Sequence, residues 1–293
     1  MDSQWNGNFS RFDLVAKTDE HVRTVVQVRD IEVGGDEFVV MAGPCAVETE
    51  RQVLETAEAV AVAGARILRG GAYKPRSSPY TFQGLGVEGL KILAKARAET
   101  GLAIVTEAMC PEDVGVIAEY ADIMQVGARS MENYALLQAV GACGRPVLLK
   151  RGMCATLQDL LQSAQIIAAH GNSDIILCER GIRTFETATR NTFDIAAIAV
   201  LKAVSHLPVI ADPSHASGIR ALVPPLARAA AAIGADGLLV EVHPAPEEAW
   251  SDGKQSLTFH QFREMMHDLE PYLALREIPR RSRLELVASR GGH

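Results

Sequence analysis

From about residue 38 onward the chain repeats one pattern eight times: a short β-rich apolar run, then a longer stretch with helical spacing. The runs are FVVMAG (38–43), ARILRG (65–70), AIVTEA (103–108), DIMQVG (122–127), PVLLKR (146–151), DIILCER (174–180), PVIADP (208–213) and DGLLVEV (236–242). Helical candidates between them include ERQVLETAEAVAVAG, VEGLKILAKARAETG, TLQDLLQSAQIIAAHG and NTFDIAAIAVLKAV, several ending at Gly, the favoured residue just past a helix C-terminus. A last one, FHQFREMMHDLEPYLAL, follows the eighth run, with Met265 and Met266 read as core filler. This is the βα signature of a parallel sheet. Eight units over this length fit a closed (β/α)₈ TIM barrel, of class α/β, better than an open doubly wound sheet. Neither G-x-G-x-x-G nor a Walker sequence follows any run, which disfavours the nucleotide-binding alternative. Ahead of the barrel, TVVQVRDIEVGGDE alternates across a turn and predicts a hairpin closing the barrel bottom. The expected divisions are therefore 1–36 for an extension and hairpin, 37–275 for the catalytic barrel, and 276–293 for a mobile, solvated tail.

Composition narrows the function class. With 48% hydrophobic residues in 293, the chain can bury a large core, and no run approaches the roughly 18 to 20 apolar residues of a membrane span. A net charge of −7 argues against general nucleic-acid binding. Five cysteines with no C-x-x-C pair, and no basic-then-apolar leader, predict a reduced cytoplasmic protein rather than a disulfide framework. A small-molecule enzyme is the default class.

In such a barrel the reacting groups stand where strands end. Those positions hold Cys45, Arg69 with Lys74 and Arg76, Glu107, Arg129, Lys150, Arg180, Asp212 with His215, and Glu241. Charged strand exits are common, and the opposite rim carries Asp122, Asp174 and Asp236. The sign is what needs explaining, because an acidic protein has gathered Arg69, Lys74, Lys150 and Arg180 at one mouth. Clustered cations repel one another and are costly to desolvate, so they imply anions such as phosphate or carboxylate.

Two further features stand out. GGAYKPRSSPYTFQGLG (70–86) has neither strand nor helix period, and its Lys74, Arg76, Ser77 and Ser78, held between Pro75 and Pro79, suggest a phosphate grip. A cysteine at the end of a buried strand is ordinarily a small apolar filler, and a lone histidine after a strand is ordinarily structural. Yet the first, seventh and eighth strands are neighbours in a closed barrel. Cys45, His215, Glu241 and the downstream Asp252 can therefore converge, a mixed donor set suited to a borderline divalent ion.

Taken together, MAGPCAVE, RGGAYKPRSSPYTFQGLG, QVGARSMEN, LLKRG, CERGIRTFE, ADPSHASG and VEVHPAPEEAWSDGKQSL resemble the 3-deoxy-D-arabino-heptulosonate 7-phosphate synthases of the type I beta group, in order and at fitting spacing from about residue 24 to 270. The resemblance implies a metal-dependent (β/α)₈ barrel that condenses phosphoenolpyruvate with erythrose 4-phosphate at the head of the shikimate pathway. It implies Cys45, His215, Glu241 and Asp252 as ligands of a divalent ion, Mn²⁺ first, with Fe, Co, Zn or Cd as alternatives. Arg69, Lys74, Lys150 and Arg180, with the backbone of Gly127 and Ala128, match the phosphoenolpyruvate site. Pro75, Arg76, Ser77, Ser78 and Arg129 match the grip on erythrose 4-phosphate, with Asp212 close to the sugar. Lys74, Glu107 and a water on the metal are all left open as the group that moves the proton of the attacking water. The family also implies a homotetramer or homodimer. Only about 36 residues precede the first barrel strand, too few for the ferredoxin-like or chorismate mutase domains of regulated relatives, so no strong feedback is expected of the isolated chain. Three rival readings accompany this one. They are a 3-deoxy-D-manno-octulosonate 8-phosphate synthase using arabinose 5-phosphate, a Schiff-base aldolase acting through Lys150, and an inactive barrel that senses sugar phosphates.

Overall fold

A computed structural model describes residues 8–74 and 82–274. Ten strands and nine α-helices occur among them. Strands β1 (Val26–Val28) and β2 (Ile31–Val33) pair antiparallel as the expected hairpin. The other eight are β3 (Val39–Gly43), β4 (Ile67–Arg69), β5 (Ala103–Ala108), β6 (Ile123–Val126), β7 (Val147–Lys150), β8 (Ile175–Glu179), β9 (Val209–Ala211) and β10 (Gly237–Glu241). All their pairings are parallel, and they close into one barrel in chain order, with β10 returning to β3. Each strand falls inside its predicted run. The predicted tail, 276–293, lies outside the described residues.

The helices are α1 (Glu50–Val62), α2 (Val87–Thr100), α3 (Pro111–Tyr120), α4 (Tyr134–Ala142), α5 (Leu157–Ala169), α6 (Ile195–Val204), α7 (Pro213–Ser217), α8 (Val223–Ile233) and α9 (Phe259–Ala274). Their starts are written in the sequence. The Thr49 and Asn133 side chains accept from backbone N–H groups of the first turns of α1 and α4, and Thr156 and Asp159 form a reciprocal capping box on α5. Gly101 and Gly234 end α2 and α8 in the left-handed region.

Two hydrophobic layers hold the barrel. Outside, strand residues such as Val40, Leu68, Ile104, Leu149 and Val240 pack under the helices, with Met265 fully buried and Met266 partly so, as expected of core filler. Inside, Met41, Ile67, Val105, Ile123, Leu148, Ile176 and Ile210 fill the lumen, and Val26, Val28, Ile31 and Val33 join the same cluster. These hairpin residues are buried while the Gln27 and Glu32 side chains between them face out, so the hairpin plugs the bottom of the barrel. With its lower end closed by apolar side chains, the barrel leaves the C-terminal ends of its strands for chemistry.

Candidate active site

The closure order makes β9, β10 and β3 consecutive, and this brings three distant stretches of sequence to one point. Cys45, two residues beyond β3, is 2% exposed. Its Sγ and one carboxylate oxygen each of Glu241 and Asp252 lie within 4.8 Å of one another. His215, on the short helix after β9, sets Nε2 3.3 Å from Glu241 Oε1. Its Nδ1 is 2.7 Å from Asp212 Oδ2, so the carboxylate orients the ring with Nε2 toward the cluster. The Glu241 backbone N–H donates to Ser214 Oγ at 3.0 Å and Gln255 Nε2 donates to Glu241 Oε2 at 2.9 Å. Burial, and after it the Glu241 carboxylate, push the Cys45 thiol up to about 11, against the opposing pull of Lys74. Burial alone would raise the Asp252 carboxyl, but the charges of His215 and Arg190 outweigh it and hold the group well below its usual range. One thiol and two carboxylates gathered in this way, with the His215 imidazole beside Glu241 but outside the three-residue cluster, fit a borderline divalent cation, which would displace the thiol proton.

Beside this cluster opens a cavity of about 150 Å³. Its wall includes Arg69, Lys74, Arg129, Lys150, Arg180 and Arg190, against only two carboxylates, Glu107 and Asp252. The protein's own groups meet part of this cationic demand. Arg69 donates to Glu241 at 3.1 Å and to the Pro44 carbonyl at 2.7 Å, and Lys150 donates to Asp212 at 2.5 Å. Lys74 reaches Cys45 Sγ and the Cys45 carbonyl, each at 3.0 Å. Arg180 differs. It is 5% exposed, and its Nε and one terminal nitrogen have no hydrogen-bond partner among the described residues, while burial depresses its pKa. A buried guanidinium left this way is costly unless an anion meets it.

In the same cavity wall, Gln125 Nε2 donates to Glu107 Oε2 at 3.2 Å. The same Glu107 lies against Gly127, where a Cβ would come within 1.9 Å of Glu107 Oε1, so a side chain there would push the Glu107 carboxylate away. Gly127 and Ala128 both line the cavity.

Several expectations look different in three dimensions. Asp212, expected beside the sugar, is fully buried and absent from the cavity wall. It caps the N-terminus of α7 by accepting from the His215 N–H at 2.9 Å and also serves as the counterion of Lys150. Burial opposes its ionisation, but His215 and Lys150 hold its carboxyl well below the usual range. The ion pair also occupies Lys150 as a cation, against the Schiff-base reading. The two described ends of the 70–86 stretch are paired, since Tyr73 and Gly84 form an antiparallel bridge and the Lys74 N–H donates to the Gln83 carbonyl at 2.9 Å. Pro75, Arg76, Ser77 and Ser78 lie outside the described residues. Sequence reasoning missed Arg190, Gln125, Ser251 and Gln255. Only Arg190 carried a hint, as a further cation in the segment after Arg180. All five cysteines are free, and no helix among the described residues is long and apolar enough to cross a membrane.

Comparison with known proteins shows the family and agrees with the fold. Residues 15–274 match the model of the DAHP synthetase I family. The chain is 51% identical over 259 residues to a phospho-2-dehydro-3-deoxyheptonate aldolase of Thermotoga maritima, covering 88% of this chain and 77% of that one. A 2-dehydro-3-deoxyphosphooctonate aldolase of Acidithiobacillus ferrooxidans is more distant, at 36% identity over 251 residues, 80% of this chain and 88% of the relative. Among solved structures, a truncated form of the Thermotoga maritima 3-deoxy-D-arabino-heptulosonate 7-phosphate synthase superposes with a TM-score of 0.84 at 47% identity, covering 90% of this chain and 97% of that one.

Proposed function

The chain belongs to the DAHP synthetase I family, and from that membership we infer that it is a transferase of the shikimate pathway, joining phosphoenolpyruvate to erythrose 4-phosphate. C3 of phosphoenolpyruvate attacks the aldehyde carbon, water adds at C2, and cleavage of the C2–O bond of the resulting hemiketal phosphate releases inorganic phosphate. The products are 3-deoxy-D-arabino-heptulosonate 7-phosphate and phosphate.

The observation that carries this reading is the buried Arg180 guanidinium, with two nitrogens unmet among the described residues, in a cavity that borders the thiol–carboxylate cluster at Asp252. Arg69, Lys74, Lys150 and Arg180, with the backbone of Gly127 and Ala128, hold the phosphate and carboxylate of phosphoenolpyruvate. Arg129, together with Pro75, Arg76, Ser77 and Ser78, grips the phosphate of erythrose 4-phosphate. Asp212 acts from beneath, keeping Lys150 and His215 oriented. Cys45, His215, Glu241 and Asp252 are the ligands for a divalent ion, Mn²⁺ first, with Fe, Co, Zn or Cd compatible with the same donors. When bound, such an ion supplies Lewis-acid polarisation of the aldehyde. The cations stabilise the negative charge that builds up as phosphate departs. Lys74 and Glu107 both border the cavity and are the candidates for moving the proton of the attacking water. Assembly as a homodimer or homotetramer completes the proposal, with light scattering as its check.

The deciding experiment measures phosphoenolpyruvate consumption with erythrose 4-phosphate and with arabinose 5-phosphate, before and after chelation. Erythrose 4-phosphate should be preferred at least tenfold in kcat/KM, about 1.4 kcal/mol in transition-state stabilisation, with activity lost on chelation and restored by Mn²⁺. Equal or reversed preference would favour the octulosonate reaction, and full turnover in demonstrably metal-free protein would remove the metal from the proposal.

A further inference from the structure

Arg190 has no role in the reading above, yet its surroundings are specific. It lies between β8 and α6, where the chain folds back against α7. The Arg190 N–H donates to the Ser217 carbonyl at 2.9 Å, the Asn191 N–H to the Ala216 carbonyl at 3.0 Å, and Asn191 Nδ2 to the His215 carbonyl at 2.8 Å. The two segments are so close that Gly218, at φ +67°, could not carry a side chain: a Cβ there would sit 2.7 Å from Arg190 Cβ. The backbone of Arg190 is thus braced on the helix that carries His215.

From that anchorage the side chain reaches the loop after β10. Its NH1 lies 3.1 Å from Asp252 Oδ1, while Asp252 Oδ2 lies 3.2 Å from Cys45 Sγ. The two carboxylate oxygens are therefore divided, one held by the guanidinium and the other turned toward the thiol. Asp252 needs such a hold, because it is a non-glycine residue at φ +54° in a loop, and its carboxylate is a quarter exposed. Exposed ion pairs rarely add stability, and the Arg190 side chain is 42% exposed, so a contribution to folding does not account for the pair.

We propose that Arg190 is a positioning residue of the metal centre: it fixes the Asp252 carboxylate so that Oδ2 faces Cys45 and Glu241, and so raises the affinity for the divalent ion. This rests on the ligand set proposed above. Partners that orient a metal ligand typically govern affinity by about 10- to 100-fold.

Cobalt titration tests it, because a thiolate bound to Co²⁺ gives a charge-transfer absorption that does not depend on turnover. Wild type, Cys45→Ser, Arg190→Ala and Arg190→Lys are titrated as metal-free full-length protein, with a competing chelator to fix affinity. Wild type should take up one equivalent with the thiolate band, and Cys45→Ser should lose the band. Arg190→Ala should keep the band but bind Co²⁺ about 10- to 100-fold more weakly, and Arg190→Lys should recover part of the loss. The thermal midpoint of metal-free Arg190→Ala should stay at the wild-type value. Unchanged or tighter Co²⁺ binding by Arg190→Ala overturns the proposal while leaving the ligand set standing. A loss confined to phosphoenolpyruvate affinity likewise overturns it and makes Arg190 a substrate residue. A wild-type protein without the thiolate band removes the ligand set and the proposal together.

Discussion

At the N-terminal end of the barrel, Asp122 and Asp236 stand just before β6 and β10, each closed by basic partners of its own, Asp122 by Arg97 with Arg29 at 3.7 Å and Asp236 by Lys202. Asp122 accepts from Arg97 NH1 at 3.1 and 3.0 Å and from the Ile104 N–H at 2.8 Å, and Asp236 accepts from Lys202 at 2.6 and 2.7 Å and from the Val209 N–H at 2.7 Å. At the C-terminal end, carboxylates are shared instead. Asp212 serves both Lys150 and His215, Glu241 serves Arg69, His215 and Gln255, and the buried guanidinium of Arg180 keeps two nitrogens unmet among the described residues. The same residue types stand at both rims. Self-contained ion pairs serve folding, whereas shared or incomplete ones leave interaction free energy for a ligand.

The largest expected effect breaks that comparison at its upper end. Arg180→Met should weaken phosphoenolpyruvate binding by about 2 to 5 kcal/mol, since one charged partner of a bound anion is removed. It should leave the thermal midpoint equal or higher, because it also removes a buried and poorly met charge. Calorimetry of phosphoenolpyruvate binding, with a melt on the same sample, reads both. Unchanged affinity would place Arg180 outside the substrate site.

The lower end should respond in the opposite sense. Lys202→Met leaves Asp236, 2% exposed, without its ionic partner and should destabilise the fold by about 1 to 3 kcal/mol. Denaturant unfolding should show the loss, while KM for phosphoenolpyruvate stays at the wild-type value. A shift in KM with no loss of stability would mean that the two rims do not divide their labour as argued.

How far all this was legible in sequence follows from the range of each signal. The eight strands were readable because periodicity is local, and the hairpin because its alternation is local too. Closure makes the first, seventh and eighth barrel strands neighbours, which is why Cys45, His215 and Glu241 could be expected near one another. The structure gathers Cys45 and Glu241 with Asp252 and sets His215 against Glu241. Asp252 entered only as a residue downstream of the eighth run, because its loop has no period that would place it. What could not be read was which charges satisfy one another. Whether Asp212 meets the sugar or lies beneath Lys150 depends on side-chain direction at one strand end, and nothing local encodes it. Arg190 belongs to the same class, because its partner lies 62 residues away in another loop.

The smallest effect sharpens the comparison through a proton. Burial and Glu241 push the Cys45 thiol up to about 11, so below that pH metal-free protein holds the proton that a bound cation must displace. Metal affinity should therefore rise with pH, approaching tenfold per unit, about 1.4 kcal/mol, between roughly pH 8 and 10, and should level off near pH 11. The stability of the metal-free fold runs the other way. An unfolded thiol, at the ordinary value of 9.0, loses its proton first, so between pH 9 and about 11 the unfolded state binds fewer protons and stability falls as pH rises. Other groups titrate in this range, so the relevant quantity is the difference between wild type and Cys45→Ser. Wild type should lose stability faster over that window, and the difference should vanish below pH 8. A pH-independent metal affinity would mean that the thiol is already ionised in the metal-free protein. The cationic rim formed by Arg69 and Lys74 would then dominate the Cys45 environment more than burial and Glu241 do.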